Sequence, residues 1–162
     1  MKKIIPLFIA VILLLAGCRL KTYNPEIADF SQGACVESGN FSYTCDISLA
    51  DNVVTVTATS TNATGMSIVY NGKSALFRYS DMEYEIVSDK IDYTNPARAV
   101  YDAFEALRAG MPDNASKTAD GFRYDGKTEL GSFTLLQYED YSYKSISFKD
   151  ADIHIIFTEK GE

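Results

Sequence analysis

The stretch Asn52-Val53-Val54-Thr55-Val56-Thr57-Ala58-Thr59 decides how this chain is read. Val54, Val56 and Ala58 fall on one side of an extended backbone; Thr55, Thr57 and Thr59 fall on the other. Period-two alternation built from β-branched residues marks a strand buried on one face. A loop follows, Thr61-Asn62-Ala63-Thr64-Gly65, and then a second extended run, Met66-Ser67-Ile68-Val69-Tyr70. Asn71-Gly72 separates it from a third run, Lys73 to Tyr79. Asn-Gly between two such runs is the sequence of a type I′ hairpin. A turn of that kind pairs Ile68 with Ala75 and Met66 with Phe77, which gives one apolar face. Met82, Tyr84 and Ile86 continue the pattern as a further strand.

Beyond these strands the period changes. Asn95-Pro96 supplies an N-cap and a first helical residue. Val100, Ala103, Phe104 and Leu107 follow at the i, i+3, i+4, i+7 spacing of a helix. Gly110 with Pro112 beyond it is a stop signal. The expectation is an amphipathic helix from Pro96 to Ala109, with Val100, Ala103, Phe104 and Leu107 as its inner stripe. Arg98, Asp102, Glu105 and Arg108 would form its solvated face. A polar loop from Asp113 to Asp120 leads to more strands: Phe122–Tyr124, ending in a turn at Asp125-Gly126, then Ser132–Tyr138, Lys144–Phe148 and Ile153–Thr158. Short strands at regular spacing with one helix among them predict an α+β, mostly β fold. Its form would be an antiparallel sheet packed on one amphipathic helix.

Working outward to the N-terminal side, Phe30–Val36 and Phe41–Leu49 flank the turn cluster Glu37-Ser38-Gly39-Asn40. A hairpin centred on Asn40 places Cys35 opposite Cys45, close to disulfide range. In an exported protein such a pair is expected to be bonded. The export signal itself is Met1-Lys2-Lys3 followed by an apolar run from Ile4 to Ala16. That run is shorter than the roughly 20 residues that span a bilayer.

Leu15-Ala16-Gly17-Cys18 ends the run and resembles the lipobox of bacterial lipoproteins. The resemblance implies cleavage before Cys18 and a covalent diacylglyceryl lipid on its sulfur, with no other cofactor. The organisation would then be a signal peptide over 1–17, a lipidated tether over 18–28 and a single domain over 29–162. The processed chain loses Lys2 and Lys3, leaving 13 basic against 22 acidic residues, a net charge of -9. Such a domain is repelled by an anionic membrane surface, so the lipid rather than the protein would hold it there.

The whole chain has 162 residues, 46% hydrophobic and 23% charged, with a formal net charge of -7. That composition excludes disorder and coiled coil, and the acidity argues against nucleic acid as a partner. One histidine rules out a His-based metal cluster, and three cysteines are too few for a four-cysteine zinc site. No nucleophile elbow, zinc-protease, Walker or dinucleotide motif occurs, so no catalytic residue is assigned and the chain is not expected to be an enzyme. His154 alternates with Ile153, Ile155 and Phe157 and should lie on a partly exposed sheet face. The acid pairs Asp150/Asp152 and Glu139/Asp140 read as solvated turns rather than metal ligands. Eleven tyrosines without a tryptophan serve either strand formation or a recognition surface.

The order of elements adds a family likeness. It rests on the Asp29-Phe30 hairpin start, the Gly65-Met66-x-Ile68 strand and the Asn71-Gly72 hairpin. Further on it includes Tyr79-Ser80-Asp81-Met82, the helix, Asp120-Gly121 and Gly131-Ser132-Phe133-Thr134-Leu135. Together these resemble small lipoproteins of clostridial-type bacteria, which in turn are similar to LolA-like and mycobacterial lipid-carrier lipoproteins. The resemblance implies a curved antiparallel sheet, an incomplete barrel, in a protein anchored to the outer face of the cell membrane. It also implies that the protein carries a lipid or acyl chain in a hollow between sheet and helix, with Val100, Ala103, Phe104 and Leu107 facing the lipid or the core. The alternative is a surface-anchored module with a filled core that binds an envelope protein.

Overall fold

The computed structural model describes residues 28–110 and 115–158. Cys18, the signal and most of the tether lie outside these. Eleven strands among the described residues form one curved, open antiparallel sheet. The first six are β1 (Phe30–Ser38), β2 (Phe41–Ala50), β3 (Val53–Ala58), β4 (Ser67–Tyr70), β5 (Ser74–Tyr79) and β6 (Met82–Val87). A helix, α1 (Pro96–Arg108), follows. Then come β7 (Ala115–Thr118), β8 (Gly121–Thr128), β9 (Gly131–Tyr138), β10 (Tyr143–Phe148) and β11 (Ile153–Phe157). Their order across the sheet is β6-β5-β4-β3-β2-β1-β11-β10-β9-β8-β7.

This order is two meanders joined along one seam. The chain winds outward from β1 to the edge strand β6 and crosses to the opposite edge, β7. It then winds back until β11 pairs with β1, Ala34 against Phe157. A connection between opposite edges has to pass over one face, and α1 lies on that path. Asn95 caps the helix as the sequence implies: its side-chain oxygen accepts from the Ala97 and Arg98 backbone N–H groups. Val100, Ala103, Phe104 and Leu107 are all buried against the inner face. Their partners are the alternate strand residues, among them Ile47, Leu49, Val54, Tyr124, Leu135, Ile146 and Ile155.

The structure departs from the sequence reading at five places. First, the turn of the β1–β2 hairpin is Gly39-Asn40, with Gly39 at φ +57° and Ser38 opposite Phe41. The centre therefore lies half a residue before Asn40. Cys35 faces Thr44, and Cys45 faces Ala34. A one-residue change of register sends side chains to opposite faces, so Cys45 enters the core while Cys35 sits on the outer face. The Cys35–Cys45 disulfide is absent and both thiols are free.

Second, the next hairpin turns on Gly72-Lys73 rather than Asn71-Gly72, pairing Ile68 with Phe77 and Tyr70 with Ala75. The Asn71 side chain directs this by accepting from the backbone N–H groups of Lys73 and Ser74, each at 2.9 Å. The slip is by two residues, so the apolar face is kept. Third, part of the expected polar loop is the edge strand β7. Fourth, β8 continues through Asp125-Gly126; Gly126 serves close packing, since a Cβ there would meet the Phe133 ring at 2.4 Å. Fifth, Arg98 is not on a solvated face. It is buried, donates to the carbonyls of Ser88 and Ile91, and places its guanidinium 3.7 Å from the centre of the Tyr93 ring. It ties the start of α1 to the short 3-10 turn after β6.

Candidate functional site

Directly beneath α1 the space is filled. The Phe104 ring is fully buried, 5.4 Å from Phe30 and 4.9 Å from Tyr143 between ring centres. Phe30 in turn meets Tyr143 at 4.8 Å and Phe157 at 5.5 Å. Edge-on and tilted rings at these separations are close-packed. Around Phe104, the space that the resemblance implies as a hollow between sheet and helix is taken up by the protein's own rings.

The inner face extends past the helix, however, and there it is open. α1 packs mainly on β3, β4 and β8. Beyond it, on the β2–β4 half, lies a groove of about 210 Å³. Strand alternation builds its floor: Phe41 and Tyr43 from β2, Val56 and Ala58 from β3, and Ile68 from β4, with Met66 just ahead of that strand. The Thr59–Gly65 connection folds over one side, contributing Thr61 and Ala63. Thr61 sits at φ +76°, a conformation that β-branched residues rarely adopt. Three local bonds hold it there. The Thr61 carbonyl accepts from Thr64 N–H at 3.2 Å and Oγ1 at 2.8 Å, and its hydroxyl accepts from Ala63 N–H at 3.2 Å. Strain of this kind costs about 1–3 kcal/mol and persists only where surrounding contacts impose it.

The apolar surface continues outward. A shallower depression of about 110 Å³ shares Met66 and is lined by Phe77 and Tyr79 of β5 and Met82 and Tyr84 of β6. Phe41, Met82 and Tyr84 are 60%, 66% and 68% exposed. These are large apolar side chains on the face that elsewhere forms the core. Among the described residues the one ion pair beside them is Arg78–Glu83, 2.8 Å apart at the outer edge.

The groove proper has no charged lining residue. Its phenol, Tyr43, is pushed up to about 12 by burial and, secondarily, by nearby Cys45. The Cys45 thiol is likewise pushed up to about 12, chiefly by burial and then by Asp46 and Cys35. Both groups are neutral at any physiological pH, so the thiol is a poor nucleophile. The arrangement offers desolvation and shape rather than proton transfer. Among the described residues no group of three or more His, Cys, Asp and Glu side chains could share a metal ion, and no helix is long and apolar enough to cross a membrane.

The helix stripe, read from the sequence as facing the core or a lipid, is buried in the core cluster. Sequence reasoning missed the groove, although the tyrosine and methionine content was a signal. Phe41 on β2 and Met82 and Tyr84 on β6 alternate into the inner face of strands away from the main packing of α1, and Met66 stands just ahead of β4.

No family model and no curated protein matches the chain. Among solved structures, it is similar to an uncharacterized conserved protein from Thermus thermophilus, with 8% identity and a TM-score of 0.43 over 92% of this chain and 85% of that one. It is also similar to a LolA superfamily protein from Nitrosomonas europaea, with 9% identity and a TM-score of 0.42 over 83% of this chain and 86% of that one. These are likenesses of overall architecture and say nothing of a ligand.

Proposed function

We propose that this chain is an exported, non-enzymatic lipoprotein, held at the outer face of the cell membrane by a diacylglyceryl group on Cys18, which binds a lipid acyl chain in the inner-face groove. The observation that supports the ligand is the groove itself. It is an uncharged hollow on the core-forming face of the sheet, left open by the helix and continuous with exposed aromatic and methionine side chains. Its volume is below the 300–1,000 Å³ of pockets that enclose drug-sized ligands, so it suits part of a chain. Each buried methylene contributes about 0.8 kcal/mol. Half a dozen would supply about 5 kcal/mol, which corresponds to binding between millimolar and micromolar. Affinity of that order suits holding and release.

The filled core and the exposed Phe41, Met82 and Tyr84 favour a second reading, a docking surface for an apolar segment of an envelope protein. One variant separates the two. Ala58→Phe, on the groove floor, should fill the hollow while leaving the exposed patch on β5 and β6 intact. Under the first reading the full chain binds a fluorescent fatty acid, and Ala58→Phe weakens that binding at least tenfold without lowering the unfolding midpoint. Absence of saturable fatty-acid binding to the unsubstituted chain refutes the acyl-chain reading and leaves the docking surface.

A further inference from the structure

The outer face of the sheet carries a larger hollow on the opposite half of the molecule. It holds about 820 Å³ and lies over β8–β11. Its floor is polar, because residues that alternate away from the core are Ser, Thr and His here. Cross-strand register sets Thr134 beside Ser147, and Ser147 beside His154. One step toward the end of the sheet, Lys127 pairs with Ser132. Lys149 directly follows Phe148, which pairs with Phe133. Ser132 therefore stands on β9 between a lysine on β8 and a lysine at the end of β10.

The charges in this hollow are unequally committed. Arg123 grips Asp125 with three bonds of 2.9–3.1 Å, and the Thr134 hydroxyl donates a fourth at 2.6 Å. The Arg123 hydrogen bonds are the main reason the Asp125 carboxyl is held below its usual range. Asp150 turns its carboxylate to the Ser132 backbone N–H at 3.0 Å. Asp152 stands 3.9 Å from the His154 ring nitrogen. Neither Lys127 nor Lys149 has an ion-pair partner among the described residues.

We propose that this hollow binds a phosphate group, clasped by Lys127 and Lys149 over the Ser132 and Ser147 hydroxyls. Neighbouring strands are 4.7–4.9 Å apart, so two lysines two strands apart start roughly 10 Å from each other. Each ammonium group is a compact charge on a flexible four-carbon stem, and both can converge on one anion between them. Without an anion they repel. A dianion with several acceptor oxygens uses both ammonium groups and the hydroxyls together, whereas a carboxylate, with one charge and two oxygens, leaves one lysine unmatched. In a chain of net charge -7, the two lysines left without an ion-pair partner draw anions to this hollow against the Asp150 and Asp152 carboxylates beside it. The same chemistry could come from a lipid headgroup or from a free phosphate ester. The site is on the opposite face from the apolar groove, so either can fail without the other.

The test is a titration of the full chain with inorganic phosphate, followed by backbone amide shifts, for three proteins: unsubstituted, Lys127→Gln/Lys149→Gln and Lys73→Gln/Lys90→Gln. Both double variants remove the same charge, and all four lysines are exposed, so unchanged unfolding midpoints are expected. The proposal predicts saturable shifts at Lys127, Ser132, Ser147 and Lys149 that weaken at least tenfold only in Lys127→Gln/Lys149→Gln. No saturation, or equal weakening in both double variants, overturns it. Phosphatidylcholine vesicles with and without phosphatidic acid then identify the source. Added binding to phosphatidic acid that needs Lys127 and Lys149 assigns a headgroup; phosphate binding without it assigns a soluble ester.

Discussion

Truncating Phe104 to alanine tests the central packing claim. Phe104 projects from the middle of α1 into a ring cluster and is wholly buried. Its loss removes the side-chain transfer free energy and leaves a void, because Phe30, Tyr143 and the strands beneath are fixed by their own hydrogen bonds and cannot collapse fully. Such Phe→Ala changes cost about 3–5 kcal/mol. Aromatic pairs contribute about 0.5–1.5 kcal/mol each beyond area burial, and Phe104 makes two, with Phe30 and Tyr143. The expectation is therefore the upper half of the range, about 4–5 kcal/mol. Against a total of about 5–15 kcal/mol for a typical domain that is a large fraction, and the unfolding midpoint should fall by on the order of 10 °C. Urea unfolding followed by far-UV circular dichroism measures it, with the slope unchanged if both end states are retained. A loss under about 1 kcal/mol with the fold intact would mean that Phe104 merely covers an open space, and the description of a filled core would be wrong.

Three further outcomes are expected. Cys18→Ser should abolish lipidation and leave an unprocessed precursor or a soluble product in cell fractionation; normal processing and membrane retention would refute the anchor. With a thiol reagent and no reductant, Cys35 should label in the folded chain and Cys45 only on unfolding, read by mass spectrometry; two thiols refractory even after unfolding would restore the disulfide. Asp125 and Asp102 should contribute to pH dependence with opposite signs. The lowered Asp125 pKa, due mainly to Arg123, adds stability above the ordinary carboxylate pKa that is lost as pH falls through the folded value. Burial is the main cause of the raised Asp102 pKa, against the pull of Arg98. Its contribution is therefore present at low pH and lost as pH rises through the folded value. Asp125→Asn should flatten the acid limb of a stability–pH curve, and Asp102→Asn should flatten the fall at higher pH.

The sheet was legible wherever one face is buried and the other wet. Val54-Thr55-Val56-Thr57-Ala58 alternates in the structure as it does in the sequence. The helix was legible from Asn95-Pro96 and the Val100-to-Leu107 spacing. Turn centres were not. Gly39 and Asn40 both suit a turn, and half a residue between two centres decides whether Cys45 meets Cys35 or Ala34. Ala115–Thr118 was missed because an edge strand exposed along most of its length has no apolar alternation to display. Gly126 looked like a turn residue because the need for a flat spot under Phe133 comes from a different strand. Arg98 looked solvated because its acceptors, the carbonyls of Ser88 and Ile91, carry no sequence signal. The groove depends on where the helix stops covering the sheet, which is a property of the whole assembly. Both lysines of the outer hollow were visible as residues, but only the strand order brings β8 and the end of β10 to either side of Ser132.

The seam between β1 and β11 has a consequence for how the molecule forms. Ala34 meets Phe157, 123 residues later in the chain, whereas every other strand pairing joins sequence neighbours. Closing so distant a contact carries the largest loop entropy in the fold and rewards it last. The β1–β6 meander can assemble as soon as it is made, but β1 then presents an unpaired hydrogen-bonding edge until the final strand arrives. In that interval the half-built sheet has two open edges, β1 and β6, and can capture an extended segment of another chain at either. The last five-residue strand thus acts as a stopper: its pairing with β1 ends the period in which the growing molecule is most prone to self-association.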